Sequence, residues 1–345
     1  MNSRCDSPWI SLIESDRISS ASRRTFLTRL ATLFTTAGLG ILPQSGTAAR
    51  WMEPPPVIGP SEPARYFQPP IPYRNQRSEP ADLNAMVQRY LTWLRQTGRL
   101  ATNERTAWLV YDFTSRQFLV TINASTPYQS ASMIKPFIAL AFFHKVWEGK
   151  LGYTPFHRQR MEAMIQRSDN RATNYFIELL NRTSHRSGPA EAERTLKQRH
   201  PGVFRHTRIV EYIPGGGRTY RNRASALDYH RFLQALWYDQ LPYSGELRRL
   251  MYLPNRDRMY TGAAGVARQT QVLDKTGTTA RLCGDMGILV ARGRDGRSYP
   301  YTFIGIIEKA QPTQNYPIWQ QARGDVIREI SGMVYEQLKR IYNLV

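Results

Sequence analysis

The sequence predicts an α+β fold, with helices from both chain ends flanking a five-stranded antiparallel sheet and an all-helical lobe inserted between the strands. Two observations indicate this fold. Apolar residues repeat at helical spacing in the middle of the chain, whereas two short β-rich runs precede that region and three follow it. A helix with one apolar face is also predicted before the first strands and after the last. Strands at both ends can share one sheet if the chain returns to it after the helical lobe.

The first helix is predicted to begin at Asp82, a favourable N-cap, and to end before Gly98. Residues 107–111 and 117–122 follow as two β-rich runs, and the short segment between them predicts a hairpin. The apolar stripe of the helix consists of Leu83, Met86, Val87, Tyr90, Leu91 and Leu94.

The middle and the end of the chain complete the pattern. Helices are predicted at residues 132–147, 158–165, 171–180, 189–198 and 226–238, the last capped by Ser225, with a short helix after Ser244. Strands are predicted at 271–275, 286–291 and 301–307, with a turn at 293–296. The closing helix has an apolar stripe through Val326, Ile330, Val334, Leu338 and Ile341.

Residues 1–49 are predicted to be an export signal. Residues 22–27 (Ser-Arg-Arg-Thr-Phe-Leu) match the twin-arginine pattern, an apolar run covers residues 30–42, and small residues follow at 46, 48 and 49. The run is short for a bilayer span, although an uncleaved anchor helix is the alternative. The mature protein is therefore expected outside the cytoplasm, in the periplasm or an equivalent compartment, without an integral membrane span.

Residues 50–81 are predicted to be an extended linker, because nine prolines lie between Pro54 and Pro80. Residues 82–345 then form the catalytic domain, expected to be a monomer. The chain has 345 residues and a net charge of +20. Its basic residues are spread along the chain with no nucleic-acid-binding motif, so anionic cell-envelope polymers are candidate partners and nucleic acid is not. With only Cys283 in the mature chain and no HExxH or CxxC motif, neither a disulfide nor a metal or other cofactor is expected.

Residues 132–135 form a Ser-x-x-Lys motif at the predicted start of an apolar helix. A spacing of three residues puts Ser132 and Lys135 on one helical face, close enough for a hydrogen bond. A serine hydroxyl is a poor nucleophile until a base takes its proton, and a desolvated lysine is such a base. At a helix N-terminus the backbone N–H of Ser132 is also free to bind an oxyanion. The motif predicts a nucleophilic serine, although alone it also arises by chance.

Two further motifs follow. Residues 168–170 (Ser-Asp-Asn) lie between two predicted helices, where they are also suitable N-cap residues. Residues 275–277 (Lys-Thr-Gly) end a predicted strand, where a lysine and a hydroxyl can bind a carboxylate. Gly277 would let a substrate backbone approach closely, and the alternative is a plain strand end followed by a turn.

The three motifs occur once each, in the order and setting found in class A β-lactamases and penicillin-binding proteins. The surrounding segments, residues 128–136, 168–174 and 274–278, resemble the corresponding regions of the class A β-lactamase-like family. The resemblance covers roughly residues 82–345. It implies a β-lactamase/transpeptidase-like fold and a serine hydrolase that works through an acyl-enzyme.

The resemblance also implies a role for each motif residue. Ser132 attacks the amide carbonyl, and Lys135 is the candidate base. Ser168 passes a proton to the leaving nitrogen with the help of Lys275, and Asn170 orients the substrate and the lysine of the first motif.

Substrate binding is implied in the same way. The backbone N–H groups of Ser132 and Thr278 would form the oxyanion hole. The hydroxyls of Thr276 and Thr278, next to Gly277, would hold the substrate carboxylate. Met286 stands where many relatives have an arginine that pairs with this carboxylate, and Arg281 is a candidate substitute.

The chain departs from the family in the loop whose glutamate activates the deacylating water. The segment most similar to that loop is residues 208–215, and aligning its Glu-x-Ile-Pro string places His206 where the glutamate is expected. His206 is a candidate deacylation base because imidazole accepts a proton at neutral pH, with a plain surface histidine as the alternative. Glu211 is a second candidate, although a carboxylate here is more readily explained as a loop anchor. The sequence therefore does not predict fast deacylation.

The expected function is hydrolysis of β-lactams through an acyl-enzyme on Ser132. The same acylation chemistry also serves a D-alanyl-D-alanine peptidase acting on peptidoglycan. A protein that binds β-lactams or cell-wall fragments without turnover is the third alternative. The persistence of the acyl-enzyme distinguishes these functions.

Overall fold

The computed structural model of the chain describes residues 82–217 and 221–345. The predicted export signal and linker lie outside these described residues. The elements in chain order are α1 (Leu83–Gln96), β1 (Glu104–Asp112), β2 (Gln117–Ile122), β3 (Tyr128–Gln129), α2 (Lys135–Trp147), α3 (Pro155–Ile165), α4 (Asn170–Asn181), α5 (Gly188–Arg199), β4 (Arg223–Ala224), α6 (Ala226–Trp237), α7 (Ser244–Tyr252), β5 (Gln271–Thr278), β6 (Leu282–Arg292), β7 (Ser298–Lys309) and α8 (Tyr316–Tyr342). Short 3₁₀ turns cover Ala131–Ile134 and Gly215–Gly217.

One five-stranded sheet has the strand order β2-β1-β7-β6-β5, and every neighbouring pair in it is antiparallel. Two of its strands precede the helices α2 to α7 and three follow them. The predicted α+β fold, with its inserted helical lobe, is therefore confirmed. The two-residue strands β3 and β4, which the sequence pattern did not predict, pair beside the nucleophile region.

The last strands are longer than predicted. β6 already begins at Leu282, and its first residues include Gly284 and Asp285, which have low strand propensity. A Cβ at Gly284 would lie 2.8 Å from the Met133 Cε atom, and one at Gly287 would lie 2.4 Å from the Leu273 carbonyl oxygen. Close packing, which periodicity does not report, therefore extends the strand through residues of weak local preference.

The sheet separates two apolar cores. On one face, α4, α5 and α6 pack around α2, whose residues 135–145 are all buried, and the core there includes Phe137, Phe142 and Phe176. On the other face, α1 and α8 contribute Leu83, Val87, Leu91, Val326 and Ile330 to a second cluster. Asp82 caps α1 by accepting a hydrogen bond from the Ala85 N–H, as expected. The edge strand β5 thus borders the helical lobe, where a cleft forms.

None of the helices within residues 82–217 and 221–345 has the length and apolarity needed to cross a membrane.

Candidate active site

A cavity of about 390 Å³ lies between strand β5 and the helical lobe. All three predicted motifs or their immediate neighbours contribute to its wall. The lining residues are Ala131, Ser132, Ser168, Asn170, Ile213, Gly216, Thr278, Thr279, Ala280 and Tyr316. The structure therefore brings together groups that lie almost 150 residues apart in the sequence.

Ser132 lies on the 3₁₀ turn Ala131–Ile134, whereas the sequence predicted that it begins the α-helix. The helix α2 begins only at Lys135, with Pro136 in its first turn. Ala131 has a φ of 45°, in the left-handed region that non-glycine residues rarely adopt. Such backbone strain is tolerated where the surrounding structure fixes the conformation, and it commonly marks functional sites. Here it presents Ser132 at the cavity wall.

Lys135 is fully buried, and its Nζ atom lies within hydrogen-bond distance of three oxygen atoms of the second motif. The Nζ atom lies 2.5 Å from the Ser168 carbonyl oxygen, 3.2 Å from Ser168 Oγ and 2.8 Å from Asn170 Oδ1. The described residues show no hydrogen bond between Lys135 and Ser132, although the sequence predicted that the two side chains lie close enough for one. Burial and, to a smaller extent, the positive charge of Lys275 lower the pKa of Lys135 to about 6, and Asp169 opposes both effects. At neutral pH the amine is therefore mostly uncharged and able to accept a proton.

The second motif combines both roles that its sequence allowed. The Asp169 side chain caps α4, because its Oδ1 atom accepts a hydrogen bond from the Ala172 N–H at 2.6 Å. The flanking residues Ser168 and Asn170 meet Lys135 instead. Ser168 has a φ of 58°, so a second strained residue stands at the cavity.

The third motif lies at the end of β5. Lys275 is buried, and its Nζ atom donates to the Thr276 carbonyl oxygen at 3.0 Å. Burial lowers the pKa of Lys275 to about 8, while Asp274 and Asp285 oppose this effect. Lys275 therefore remains mostly charged at neutral pH, in contrast to Lys135.

Gly277 packs closely against the segment that holds Ser132. A Cβ atom there would lie 2.9 Å from Met133 Cγ and 3.1 Å from the Ser130 carbonyl oxygen. The structure explains this glycine by the packing of β5 against the nucleophile turn, whereas the sequence interpretation was close approach of a substrate. Thr278 lines the cavity, but Lys135, Lys275, Thr276 and Gly277 stand behind its surface.

Arg258 is a site residue that the sequence interpretation missed. Its Nη2 atom donates to Thr278 Oγ1 at 2.6 Å, and its Nη1 atom donates to the Gly284 carbonyl oxygen at 2.9 Å. It lies in the irregular segment between α7 and β5, where no periodic pattern pointed to it. Met286 is fully buried opposite Lys275 in the β5–β6 pairing, and the Nε atom of Arg281 donates to the Lys309 carbonyl oxygen.

Two buried carboxyl groups, Asp285 and Asp274, lie near Arg258, and Asp285 contacts it directly. Asp285 Oδ2 accepts a hydrogen bond from the Arg258 backbone N–H at 2.7 Å. Asp274 on the neighbouring strand accepts one from the Asn255 side chain at 2.8 Å. Burial and the charge of Asp257 raise the pKa of Asp274 to about 7, and burial together with the charge of Asp274 raises the pKa of Asp285 well above its usual value. The pair therefore holds a proton near neutral pH.

The two candidate deacylation bases do not line the cavity. His206 contacts Asp228 and Ser225, with Nδ1 to Asp228 Oδ1 at 3.4 Å and to Ser225 Oγ at 3.2 Å. Glu211 accepts a hydrogen bond from the Arg221 N–H at 3.0 Å, which fits the loop-anchor interpretation.

Ile213 is the residue of this loop that faces the cavity. The Asn174 side chain fixes it, because Asn174 Nδ2 donates to the Ile213 carbonyl oxygen and Asn174 Oδ1 accepts from the Ile213 N–H, both at 2.8 Å. Asn174 lies one helical turn after Asn170 on α4, so the loop is held next to the second motif. Among the described residues, no carboxylate or imidazole lines this cavity. The same described part of the chain contains no group of three or more potential metal ligands.

Comparison with known proteins agrees with this geometry. A sequence model described as the Beta-lactamase enzyme family matches residues 157–338, which is more than half of the chain. No curated protein sequence matches significantly.

Solved structures with this fold include penicillin-binding and β-lactamase proteins. PBP-A is 21% identical, with a TM-score of 0.59 over 74% of this chain and 96% of that one. A β-lactamase from Desulfarculus baarsii is 18% identical, with a TM-score of 0.58 over 74% and 98%. An ancestral class A β-lactamase is 21% identical, with a TM-score of 0.56 over 72% and 99%. At these identities the likeness shows the β-lactamase/transpeptidase-like fold.

Proposed function

The chain belongs to the β-lactamase enzyme family, and we propose that it is a serine hydrolase that β-lactams acylate at Ser132 and that releases the acyl group slowly. One observation carries this proposal. The cavity wall presents Ser132, three residues before a buried lysine of lowered pKa, but among residues 208–215 only the apolar residue Ile213 lines that wall. The described residues therefore include the groups that we propose for acylation, and none of the described residues at the cavity wall is a base for deacylation.

Acylation follows from the contacts of Lys135. Its pKa of about 6 leaves the amine mostly neutral at pH 7, so it can take the proton of Ser132 as Oγ attacks the carbonyl carbon. The proton can then pass to Ser168 Oγ, 3.2 Å from the lysine Nζ atom, and on to the leaving nitrogen as the C–N bond breaks. The charged Lys275 next to this relay favours transfer of the proton to the substrate.

Charge stabilisation uses the end of β5. The backbone N–H groups of Ser132 and Thr278, both at the cavity wall, are proposed to bind the oxyanion. The substrate carboxylate is proposed to bind near the Thr278 hydroxyl, where Arg258 supplies a buried positive charge 2.6 Å from that oxygen. Arg258 thus takes the part that the sequence interpretation assigned to Arg281.

A variant of Arg258 tests this assignment. Arg258→Gln is expected to lower the second-order rate of acylation by benzylpenicillin about tenfold, the order of one charge-assisted hydrogen bond. Stopped-flow labelling measures the rate, and Arg281→Gln is the matched control. An equal loss in both variants, or a loss only in Arg281→Gln, would contradict the assignment.

Slow deacylation is proposed because a water molecule needs a base to attack the ester. In the family that this chain resembles, a loop glutamate supplies that base, and here the loop presents Ile213 instead. A Leu-to-Glu variant of PBP-A, with a TM-score of 0.59 to this chain and 20% identity, is known as an acyl-enzyme complex with penicillin G. That complex supports an acyl-enzyme as the central species of this fold.

The second candidate function is that of a D-alanyl-D-alanine peptidase. It is favoured by the same apolar wall, since a protein that turns over β-lactams poorly is better explained by a peptide amide as its natural substrate. The acylation groups at Ser132, Lys135 and Ser168 would serve both reactions.

Mass spectrometry of the intact protein with benzylpenicillin tests the proposal. We expect a covalent adduct that forms on the wild-type chain, persists for hours and is absent from Ser132→Ala. An adduct that vanishes within seconds would contradict slow deacylation. The absence of any adduct on the wild type would contradict the assignment of Ser132.

A substitution in the wall tests the cause of the slow step. Ile213→Glu places a carboxylate where water must attack, and it is expected to shorten the lifetime of the adduct at least about tenfold, because general bases contribute factors of this size or more. Ile213→Gln is the control of equal shape without a base. Equal lifetimes in the two variants would contradict the role of the apolar wall.

Export through the twin-arginine route is proposed from the pattern at residues 22–27, the apolar run at 30–42 and the small residues that follow it. The double variant Arg23→Lys with Arg24→Lys is expected to keep the full-length protein in the cytoplasm, as cell fractionation would show. Export of the double variant at the wild-type level would refute the assignment.

A further inference from the structure

A second cavity, of about 370 Å³, lies at the start of β1 and the end of β7, outside the proposed active site. Its wall holds five basic side chains and two carboxylates. The lining residues are Arg95, Thr102, Asn103, Glu104, Arg105, Thr106, Asn123, Arg223, Arg281, Glu308, Lys309 and Ala310. We call this cavity the basic pocket.

Both carboxylates of the basic pocket are already engaged. Glu104 is buried and binds Arg323, with both of its oxygens 2.7 Å from the guanidinium. Glu308 is also buried, and its Oε2 atom lies 2.7 Å from the Nη2 atom of Arg105. Arg105 in turn stacks on the Tyr128 ring, 4.5 Å from its centroid. Neither carboxylate is therefore left to neutralise the other cations.

Arg223 and Lys309 differ from two other cations of the basic pocket, since Arg105 pairs with Glu308 and Arg95 donates to the backbone carbonyls of Ala101 and Glu104. Within residues 82–217 and 221–345, no carboxylate lies within 4.0 Å of either side chain. Both are only partly exposed, so solvent screens them less than it screens a fully exposed charge. A partly enclosed pocket with unpaired positive charge favours an anionic group.

The basic pocket adjoins the proposed active site along one segment. Thr279 and Ala280 line the catalytic cavity, and the next residue, Arg281, lines the basic pocket. The backbone of Arg281 is held in this place, because its carbonyl oxygen accepts a hydrogen bond from the Lys309 N–H at 2.7 Å. Ala280 and Arg281 are consecutive, with Cα atoms about 3.8 Å apart, so the two walls meet at this point, and a peptide that advances about 3.3 Å per residue can reach from one to the other.

We infer that the basic pocket is a subsite for a carboxylate on the substrate, one or two residues from the bond that Ser132 attacks. The inference rests on the proposed function and adds the substrate class, an acidic peptide. The guanidinium of Arg223 and the ammonium of Lys309 would bind that carboxylate. In the proposed function, Lys275 instead assists the proton relay and Arg258 binds the carboxylate near Thr278. A small pocket next to the reacting bond suits one side-chain group of the substrate better than a long phosphate polymer.

Competition against penicillin labelling tests the subsite without requiring turnover. Two synthetic peptides ending in D-alanyl-D-alanine are used, identical except for a glutamate or a glutamine upstream of the scissile bond. We expect the glutamyl peptide to protect the wild-type chain from labelling at about tenfold lower concentration, the order of one charge-assisted hydrogen bond. Arg223→Gln and Lys309→Gln, made separately, are expected to bring the ratio towards one.

Arg297→Gln is the matched control, because it removes the same charge from the exposed β6–β7 turn at the opposite end of β6 and is expected to keep the wild-type ratio. Comparing two peptides within each protein cancels general damage from a substitution. Equal protection by both peptides, or protection by neither, in a protein that penicillin still labels would overturn the subsite alone. Protection by tripolyphosphate as strong as that by the glutamyl peptide would also overturn it, in favour of a phosphate-polymer site. Absence of penicillin labelling without any competitor would instead refute the proposed function.

Discussion

Two buried lysines on helix α2 have opposite surroundings. Lys135 opens the helix, is fully buried, and meets only neutral oxygens of Ser168 and Asn170. Lys145 lies near the end of the same helix, equally buried, but its Nζ atom lies 2.8 Å from Glu191 and 3.2 Å from Glu148. The two lysines are equally buried, so the difference between them comes from their hydrogen-bond partners.

The partners of Lys145 form a closed ionic network. Burial raises the pKa of Glu148, but hydrogen bonds from Arg199, Lys150 and Lys145 outweigh it and lower that pKa to about 2. For Glu191, hydrogen bonds from Arg194 and Lys145 likewise hold the pKa well below its usual value against the effect of burial. Each carboxylate of this network has at least two cationic partners, so we expect removal of a buried partner to destabilise the helical lobe. Among the described residues, Lys135 has no carboxylate partner in hydrogen-bond contact, so burial lowers its pKa and leaves the amine able to accept a proton.

The largest expected effect is on catalysis at Lys135. Lys135→Met is expected to slow acylation by benzylpenicillin about a thousandfold, the usual contribution of a general base. Its free energy of unfolding is expected to rise by about 1 kcal/mol, because a buried amine without a carboxylate partner is replaced by an apolar side chain. Stopped-flow labelling and urea unfolding measure the two quantities. A lower free energy of unfolding with a normal acylation rate would show that Lys135 has a structural role and is not the base.

Lys145→Met should do the opposite. We expect its free energy of unfolding to fall by about 3 kcal/mol, since Glu191 and Glu148 lose a buried partner, and its acylation rate to stay near the wild-type value below the unfolding transition. Lys150→Met is the matched control, because Lys150 bonds the same Glu148 from a half-exposed position and should cost less than about 1 kcal/mol. Equal losses in the two variants would show that burial of the pair contributes nothing.

The pH dependence of acylation should report both active-site lysines. The rate requires neutral Lys135, so it should fall about tenfold per pH unit below its pKa of about 6. It also requires charged Lys275, so it should fall again as pH rises above about 8. Labelling rates between pH 5 and pH 9 test this bell shape, within the pH range where the fold is stable. A rate that falls continuously from pH 5 upwards would contradict a neutral lysine as the base.

The smallest expected effect comes from the charge of Asp169 near Lys135. Asp169 opposes the lowering of the Lys135 pKa, and it also caps α4. Asp169→Asn keeps a favourable cap but removes the charge, so the acidic limb of the profile should move to lower pH. Asp169→Ser is a second neutral cap and should move the limb equally. A limb that stays in place would show that Asp169 acts on the helix alone.

Much of the fold was predictable because its signals are local. The hairpin of β1 and β2, the capping of α1 by Asp82 and the apolar stripe of α8 each depend on a few neighbouring residues, and all three are present. The 3₁₀ turn at Ser132 was not predicted, because its strained backbone at Ala131 is fixed by contacts with β5 and β6. The ends of β6 and β7 were missed for a similar reason, since pairing extends strands through residues of low strand propensity.

The sequence alone determined the fold class and led to the proposed chemistry of acylation, because three short motifs carry fixed residue types at fixed spacing. Only the tertiary structure decided which residue of the loop 208–215 faces the nucleophile, which cation supports Thr278, and that Arg223 and Lys309 share a pocket beside the cleft. All three features depend on side chains brought together from distant segments. Aligning the loop by its local sequence pointed to His206 rather than Ile213. The physical reason is that Asn174, on a different helix, fixes the loop through two hydrogen bonds to the Ile213 backbone.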